Sequence, residues 1–185
     1  MRTFAAIEIP LKIEQYAQLD VIKQSMANES IKWVDWSGLH LTLFFFGESS
    51  SVFIDKFNEF LQGLTSDFFS FDLRIKGLGV FGPNDNPKVL WLGIEPNATV
   101  NLLQEKVSLF AAQNGFHAKV DGFNPHITLA RIKGISNINC FMQNLESYSD
   151  KVSWQLHIDK VTLYKSEINP KGSRYTPVFL HSLKR

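Results

Sequence analysis

The tetrapeptide His40-Leu41-Thr42-Leu43 returns 86 residues later as His126-Ile127-Thr128-Leu129, an interval close to half of this 185-residue chain. Each copy sits in a β-prone run of aliphatic and aromatic residues: residues 39–46 end at Gly47, and residues 123–131 are introduced by Pro125. In a strand, successive side chains alternate between faces, so His40 and Thr42 share one face while Leu41 and Leu43 share the other. His126 and Thr128 are set against Ile127 and Leu129 in the same way. Each copy therefore presents an imidazole and a hydroxyl on one side and anchors in apolar core on the other. Two such strands, one from each half of the chain, predict two related lobes that meet across a pseudo-twofold axis and share a cleft. The flanks of the two copies show no obvious similarity.

The remaining pattern supplies a frame for that cleft. Alternation predicts strands over residues 3–9, 68–76, 88–95 and 174–183, one long or two short strands over 151–165, and an extended piece over 31–36. Helices are predicted from Pro10 to about Ala27, from the serine caps at 49–51 to about Leu64, and from Asn97 or Thr99 to about Asn114. A weaker helix covers 137–147. Gly77, Gly79, Gly82 and Pro83 read as a loop that matches neither phosphate-binding fingerprint. Interspersed elements with frequent hairpin-length spacings predict an α+β fold in preference to a doubly wound parallel sheet. With no linker or low-complexity segment, residues 1–185 are read as a single bilobal domain: two pseudo-symmetric lobes with antiparallel sheets facing a central cleft and helices on the outside.

Charge narrows the class of ligand. Nineteen Lys and Arg against eighteen Asp and Glu leave a formal charge of +1, whereas coating a long duplex calls for a clear basic excess. Near-neutrality points to a local site that handles one or a few phosphates. Sixteen phenylalanines pack a core and leave spare rings on which a base could stack. The single Cys140 excludes an internal disulfide, fits a reducing compartment, and is expected to pack. The apolar start is broken by Glu8 and Pro10, too short for a signal peptide, and nothing approaches a membrane span. A cytoplasmic protein with no membrane partner is expected.

Two imidazoles and two hydroxyls around one small volume suit in-line attack on a cyclic phosphodiester. One neutral histidine takes a proton from water while a second, protonated one gives a proton to the departing ribose oxygen. Histidine serves both roles because its ordinary pKa is about 6.5. The threonine hydroxyls can donate to non-bridging phosphate oxygens as charge builds there. No metal or other cofactor is called for, and no His/Cys/Asp/Glu cluster has ligand spacing.

The run from Trp33 to Glu48, Trp-Val-Asp-Trp-Ser-Gly-Leu-His-Leu-Thr-Leu-Phe-Phe-Phe-Gly-Glu, resembles the first signature of bacterial and archaeal RNA 2′,3′-cyclic phosphodiesterases. These belong to the two-histidine phosphoesterase superfamily and were once named 2′–5′ RNA ligases. The run from Phe123 to Arg131, Phe-Asn-Pro-His-Ile-Thr-Leu-Ala-Arg, resembles their second signature. Arg2-Thr3-Phe4-Ala5-Ala6-Ile7 resembles the opening strand; Leu163-Tyr164-Lys165-Ser166-Glu167 with Gly172-Ser173-Arg174-Tyr175 resembles the closing one. The resemblance implies a bilobal α+β fold with a central cleft, RNA ends or cyclic nucleotides as substrates, and a 2′-phosphate product. It implies His40 as the proton donor to the 3′ oxygen and His126 as the proton acceptor, roles the residues alone leave interchangeable. Thr42, Thr128 and Arg131 match phosphate-binding positions. Strict alternation puts Arg131 on the Ile127 face, so it reaches the phosphate only if the strand ends, twists or bulges near Ala130. Phe44 stands where the family often has a basic residue, and by the same parity it shares the face of His40 with Phe46.

Phe44 and Phe81 are candidates for contact with a base or with RNA. Lys133, Lys165, Lys171 and Arg174 are candidates for attracting a short RNA tail. His117, His157 and His181 lack a repeated context, and alternation turns His157 to solvent. Three other readings stay open: a binding module that recognises nucleotides or RNA ends without turnover, a phosphodiesterase for another cyclic nucleotide or a 2′–5′-linked substrate, and ligation. No obligate protein partner is expected.

Overall fold

Both His-x-Thr segments form central strands of one nine-stranded antiparallel sheet. A computed structural model describes residues 1–117, 122–169 and 172–185. In chain order the elements are β1 (Arg2–Glu8), α1 (Ile13–Ser25), β2 (Ser30–Trp33), a 3-10 turn (Trp36–Gly38), β3 (His40–Glu48) and α2 (Ser51–Thr65). They continue as β4 (Phe71–Phe81), β5 (Val89–Ile94), α3 (Ala98–Gln113), β6 (His126–Gly134) and α4 (Ile138–Ser149). The chain closes with β7 (Ser153–Ile158), β8 (Lys160–Asn169) and β9 (Gly172–Ser182). The strand order is β7-β4-β5-β6-β3-β1-β8-β9, with β2 paired to β6. The sheet therefore divides into two four-strand halves, β7-β4-β5-β6 and β3-β1-β8-β9. Among the described residues they meet at a single paired position, Leu41 opposite Ile127. Beyond it β3 and β6 part, and β2 takes the edge that β6 presents from Ala130 to Gly134. The two facing sheets expected from the sequence are these two halves.

Leu19 and Ile22 of α1, Phe53, Phe57 and Leu61 of α2, Val100, Leu103 and Val107 of α3, and Phe141 and Leu145 of α4 share one core with Ile7, Leu41, Leu92 and Ile127 of the strands. The four helices among the described residues thus cover the same sheet face, and the histidines stand on the opposite one. Local chemistry starts three of them: Ser50, Asn97 and Asn137 each accept a backbone N–H at 3.0–3.2 Å from the residue three places on. The phenylalanine excess lies mainly here. Phe46 of β3 meets Phe53 and Phe57 at 5.0 and 4.9 Å between ring centroids, and Phe60 stacks on Phe110 at 4.2 Å. Among the described residues no helix is long and apolar enough to cross a membrane.

Two expectations change. The glycine-rich stretch read as a loop is mostly strand, because β4 runs through Gly77 and Gly79 to Phe81. Gly79 pairs with Trp91, and a Cβ there would stand 2.2 Å from the indole; the glycine makes room for the ring. Cys140, expected to pack, is exposed on α4.

The two central strands carry the same irregularity. In β3, Ala6 pairs with Thr42 and Ala5 with Phe44, which leaves Leu43 as an extra residue. In β6, Trp91 pairs with Thr128 and Leu90 with Ala130, which leaves Leu129. Leu43 and Leu129 are themselves 86 residues apart. Burial agrees, with the first eight residues of β3 and β6 alike in every class save one glycine: Leu43 and Phe44 are both buried, as are Leu129 and Ala130. A bulge resets the side-chain parity of the residues after it. The repeat thus extends well past the tetrapeptide in conformation, although the flanking sequences differ.

Candidate functional site

Asp35 sets the approach to His40. Its carboxylate accepts Ser37 N–H at 2.9 Å and Ser37 Oγ–H at 2.6 Å, capping the 3-10 turn that ends at Gly38. Those bonds also hold the Asp35 carboxyl below the usual range. The Gly38 carbonyl then accepts from Nδ1 of His40 at 2.7 Å. On the other strand the Asn124 carbonyl accepts from Nδ1 of His126 at 2.8 Å. Each imidazole is therefore pinned by the carbonyl two residues before it, and this partner places the proton on Nδ1. Among the described residues neither Nε2 has a hydrogen-bond partner. Two matched rings flank the Leu41–Ile127 junction, on the sheet face that no described helix covers.

Carried one step either way, that antiparallel register sets His40 opposite Thr128 and Thr42 opposite His126. The histidines are then diagonal neighbours, for which a Cα separation of about 7–8 Å is typical. Thr42 and Thr128 are half-buried and on the histidine face.

The walls differ. His40 lies 4.8 Å from Phe4, 5.0 Å from Tyr175 in an edge contact and 6.1 Å from Tyr164. This burial pushes its pKa down; the Gly38 carbonyl works against the shift and the charge of His126 works with it. The edge of Phe81 meets His126 at 4.8 Å, with Trp91 behind at 6.5 Å.

The bulges decide the other sequence-based candidates. Arg131 follows the extra residue Leu129, so it returns to the face of Thr128 and is exposed there. The condition set by its parity is met. The same shift at Leu43 moves Phe44 the other way: it is 6% exposed and packs on Phe46 at 5.0 Å in the helix-side core. The placement of Phe44 on the His40 face is corrected by that extra residue, and Phe45 takes the cleft face in its stead. Phe45 is 47% exposed and stacks on Phe4 with an interplanar angle of 20°.

Lys133 is exposed two residues beyond Arg131 on the same face. Lys165 is tied to Glu167 at 2.7 Å, Arg174 pairs in register with Glu167, and Lys171 lies outside the described residues. His157 is exposed on the outer strand β7 beside Asp72, His181 bonds Asn58, and His117 is exposed after α3. Sequence reasoning did not single out Phe4, Phe45, Trp91, Tyr164 and Tyr175 as site residues. Phe4, Phe45, Tyr164 and Tyr175 lie within segments that carry the family resemblance; their place at the site, like that of Trp91, depends on strand pairing and bulges.

The profile of the 2′-5′ RNA ligase superfamily matches residues 13–169 of this chain. An RNA 2′,3′-cyclic phosphodiesterase of Thermotoga maritima is 29% identical over 182 residues, covering 97% of this chain and 94% of its own. A crystal structure from Thermus thermophilus superposes with a TM-score of 0.83 at 24% identity, over 100% of this chain and 98% of that one. E. coli LigT complexed with 3′-AMP superposes with a TM-score of 0.74 at 26% identity, over the same shares of the two chains.

Proposed function

The chain belongs to the 2′-5′ RNA ligase superfamily, and we propose that its cleft opens 2′,3′-cyclic phosphates on RNA ends to leave a 2′-phosphomonoester, with His40 and His126 as the acid–base pair and no metal. The activity is that of an RNA 2′,3′-cyclic phosphodiesterase, a phosphoric diester hydrolase, for which the full-length relatives are named. The observation that carries the mechanism is the matched pinning of the two imidazoles on adjoining strands. With Nδ1 engaged, a neutral ring offers the lone pair of Nε2 and a protonated ring offers the proton of Nε2. Those are the two forms an acid–base pair needs.

In the proposed step, Nε2 of His126 accepts a proton from water as the water oxygen attacks phosphorus. The bond from phosphorus to the ribose 3′ oxygen breaks, and Nε2–H of His40 protonates that oxygen. Atoms balance: water supplies one hydroxyl to phosphorus and, through the two histidines, one proton to the leaving oxygen. Thr42, Thr128 and Arg131 donate to the non-bridging oxygens, where the transition state gathers charge.

The test is to incubate the protein, with EDTA present, with a short RNA ending in a 2′,3′-cyclic phosphate and to locate the phosphate in the product. A 2′-phosphate supports the reading and the role of His40. A 3′-phosphate reverses the leaving oxygen and the roles of the histidines. Binding without turnover supports a non-catalytic reader of RNA ends.

A further inference from the structure

The aromatic wall on the His40 side continues past the proposed reaction centre and ends in the open. Tyr164, Phe4 and Phe45 form a continuous stack, with centroid distances of 5.3 and 6.3 Å and interplanar angles of 17° and 20°. Phe4 is buried within it, so Phe45 is its accessible end. The guanidinium of Arg2, two residues from Phe4 on the same face of β1, lies 5.5 Å from the centre of the Phe45 ring. Among the described residues, no carboxylate forms an ion pair with Arg2. The residue keeps about half of its surface open, with this cation over the ring. An exposed ring and a cation that no carboxylate pairs with among the described residues, held together on the face that carries His40 and Thr42, offer stacking and charge to one ligand.

Position along the strand says which part of a ligand. Phe45 stands four residues from the Leu41 junction, one of them taken up by the bulge, so it lies about 10 Å along β3 from the centre of the cleft. In a 2′,3′-cyclic nucleotide the base sits on the carbon adjacent to the one bearing the 2′ oxygen, which keeps that base close to the reacting phosphate. The 5′ carbon leads away from it to the next phosphodiester and the next base. Arg131 occupies the equivalent place on β6, and its long side chain can reach back to the centre; a phenyl ring at Phe45 cannot.

We propose that Phe45 and Arg2 form a subsite for the nucleotide on the 5′ side of the reacting end, with its base stacked on Phe45 and the connecting phosphodiester paired with Arg2. The subsite rests on the reading of the cleft given above and makes a chain of at least two nucleotides the preferred substrate. It also accounts for RNA binding in a protein of near-neutral charge, because one ring and one cation serve one added nucleotide.

The experiment compares kcat/KM for adenosine 2′,3′-cyclic phosphate and for the dinucleotide ApA ending in the same cyclic phosphate. The wild type favours the dinucleotide. Phe45→Ala lowers that preference by about tenfold or more, the range of one base–aromatic stack, while Phe45→Trp retains it. Arg2→Gln lowers it and flattens its salt dependence. A general loss of structure lowers both substrates together and leaves their ratio, so an unchanged ratio in Phe45→Ala overturns the subsite. If the wild type turns over neither substrate, the hydrolytic reading fails separately, and the subsite is read from binding of the 2′-phosphorylated mononucleotide and dinucleotide. A Phe45-dependent gap in their dissociation constants upholds it, and no gap overturns it.

Discussion

The two halves of the sheet share a backbone and differ in what stands beside it. Beside Thr42 the flanking pair is Ala6 and Thr162; beside Thr128 it is Trp91 and Gly79. The large member lies on the inner flanking strand in one half, and the bulk is arranged differently in the other. One step further, Phe4 with Tyr164 on the β3 side answers Val89 with Phe81 on the β6 side. After the bulges, Phe45 stands where the other half has Arg131. Backbone repetition delivers two identical groups, each imidazole pinned at Nδ1 in the same way. Neighbours then make the groups unequal, which an acid and a base acting on one phosphate require. His40, enclosed by three rings, gives up its proton more readily than an ordinary histidine.

The largest effect tests whether the halves act as a pair. His40→Ala and His126→Ala should each lower kcat by about 10²–10⁴, read from single-turnover hydrolysis of an RNA 2′,3′-cyclic end. The double variant should fall little below the worse single one, because groups acting on one transition state are not additive. Near-normal turnover in either single variant breaks the pairing. Next in size is the residue with no counterpart. Arg131→Met should lower kcat/KM by about tenfold to a hundredfold, the worth of a charge-assisted hydrogen bond, and an unchanged value would leave Arg131 as an ordinary surface cation.

A third effect concerns stability and belongs to the β6 half alone. Gly79→Ala sets a methyl carbon 2.2 Å from the Trp91 indole, and the strain should lower stability by about 1–3 kcal/mol in thermal melts. Gly63→Ala, in the last turn of α2 with nothing within 4 Å of the new carbon, should raise it by up to about 1 kcal/mol. Equal responses would mean that Trp91 has room to move.

These cases also show where sequence legibility stopped. The faces of His40, Thr42, His126 and Thr128 followed from alternation because those residues precede the bulges. Phe44 and Arg131 follow the extra residue, and counting by twos inverted both; Leu43 and Leu129 carry no glycine to announce a bulge. Gly79 reads as a strand breaker until its partner is known, and that partner lies on another strand. The meeting of β3 and β6 at Leu41 and Ile127 joins strands 86 residues apart, a contact that the repeat suggested and that only the folded sheet supplies.

The smallest effect separates the roles of the two histidines and is read from pH profiles. If His40 is the acid, it must enter the reaction protonated, and burial among Phe4, Tyr164 and Tyr175 holds its pKa below the ordinary value in the free protein. The alkaline side of kcat/KM, which reports the free protein, should then lie below what an ordinary imidazole acid would give, because a smaller fraction of His40 is protonated there. A bound phosphate favours the charged imidazole, so the alkaline limb of kcat should lie at higher pH than that of kcat/KM. Phe4→Leu, which removes a ring from beside His40, should move the kcat/KM limb upward and leave the opposite limb in place. If His40 is the base, the sign is reversed: the lowered pKa would extend the acid limb to lower pH, and Phe4→Leu would shift that limb. The two profiles therefore assign donor and acceptor without reference to the product, and agreement with the phosphate position in the product would tie His40 to the 3′ oxygen twice over.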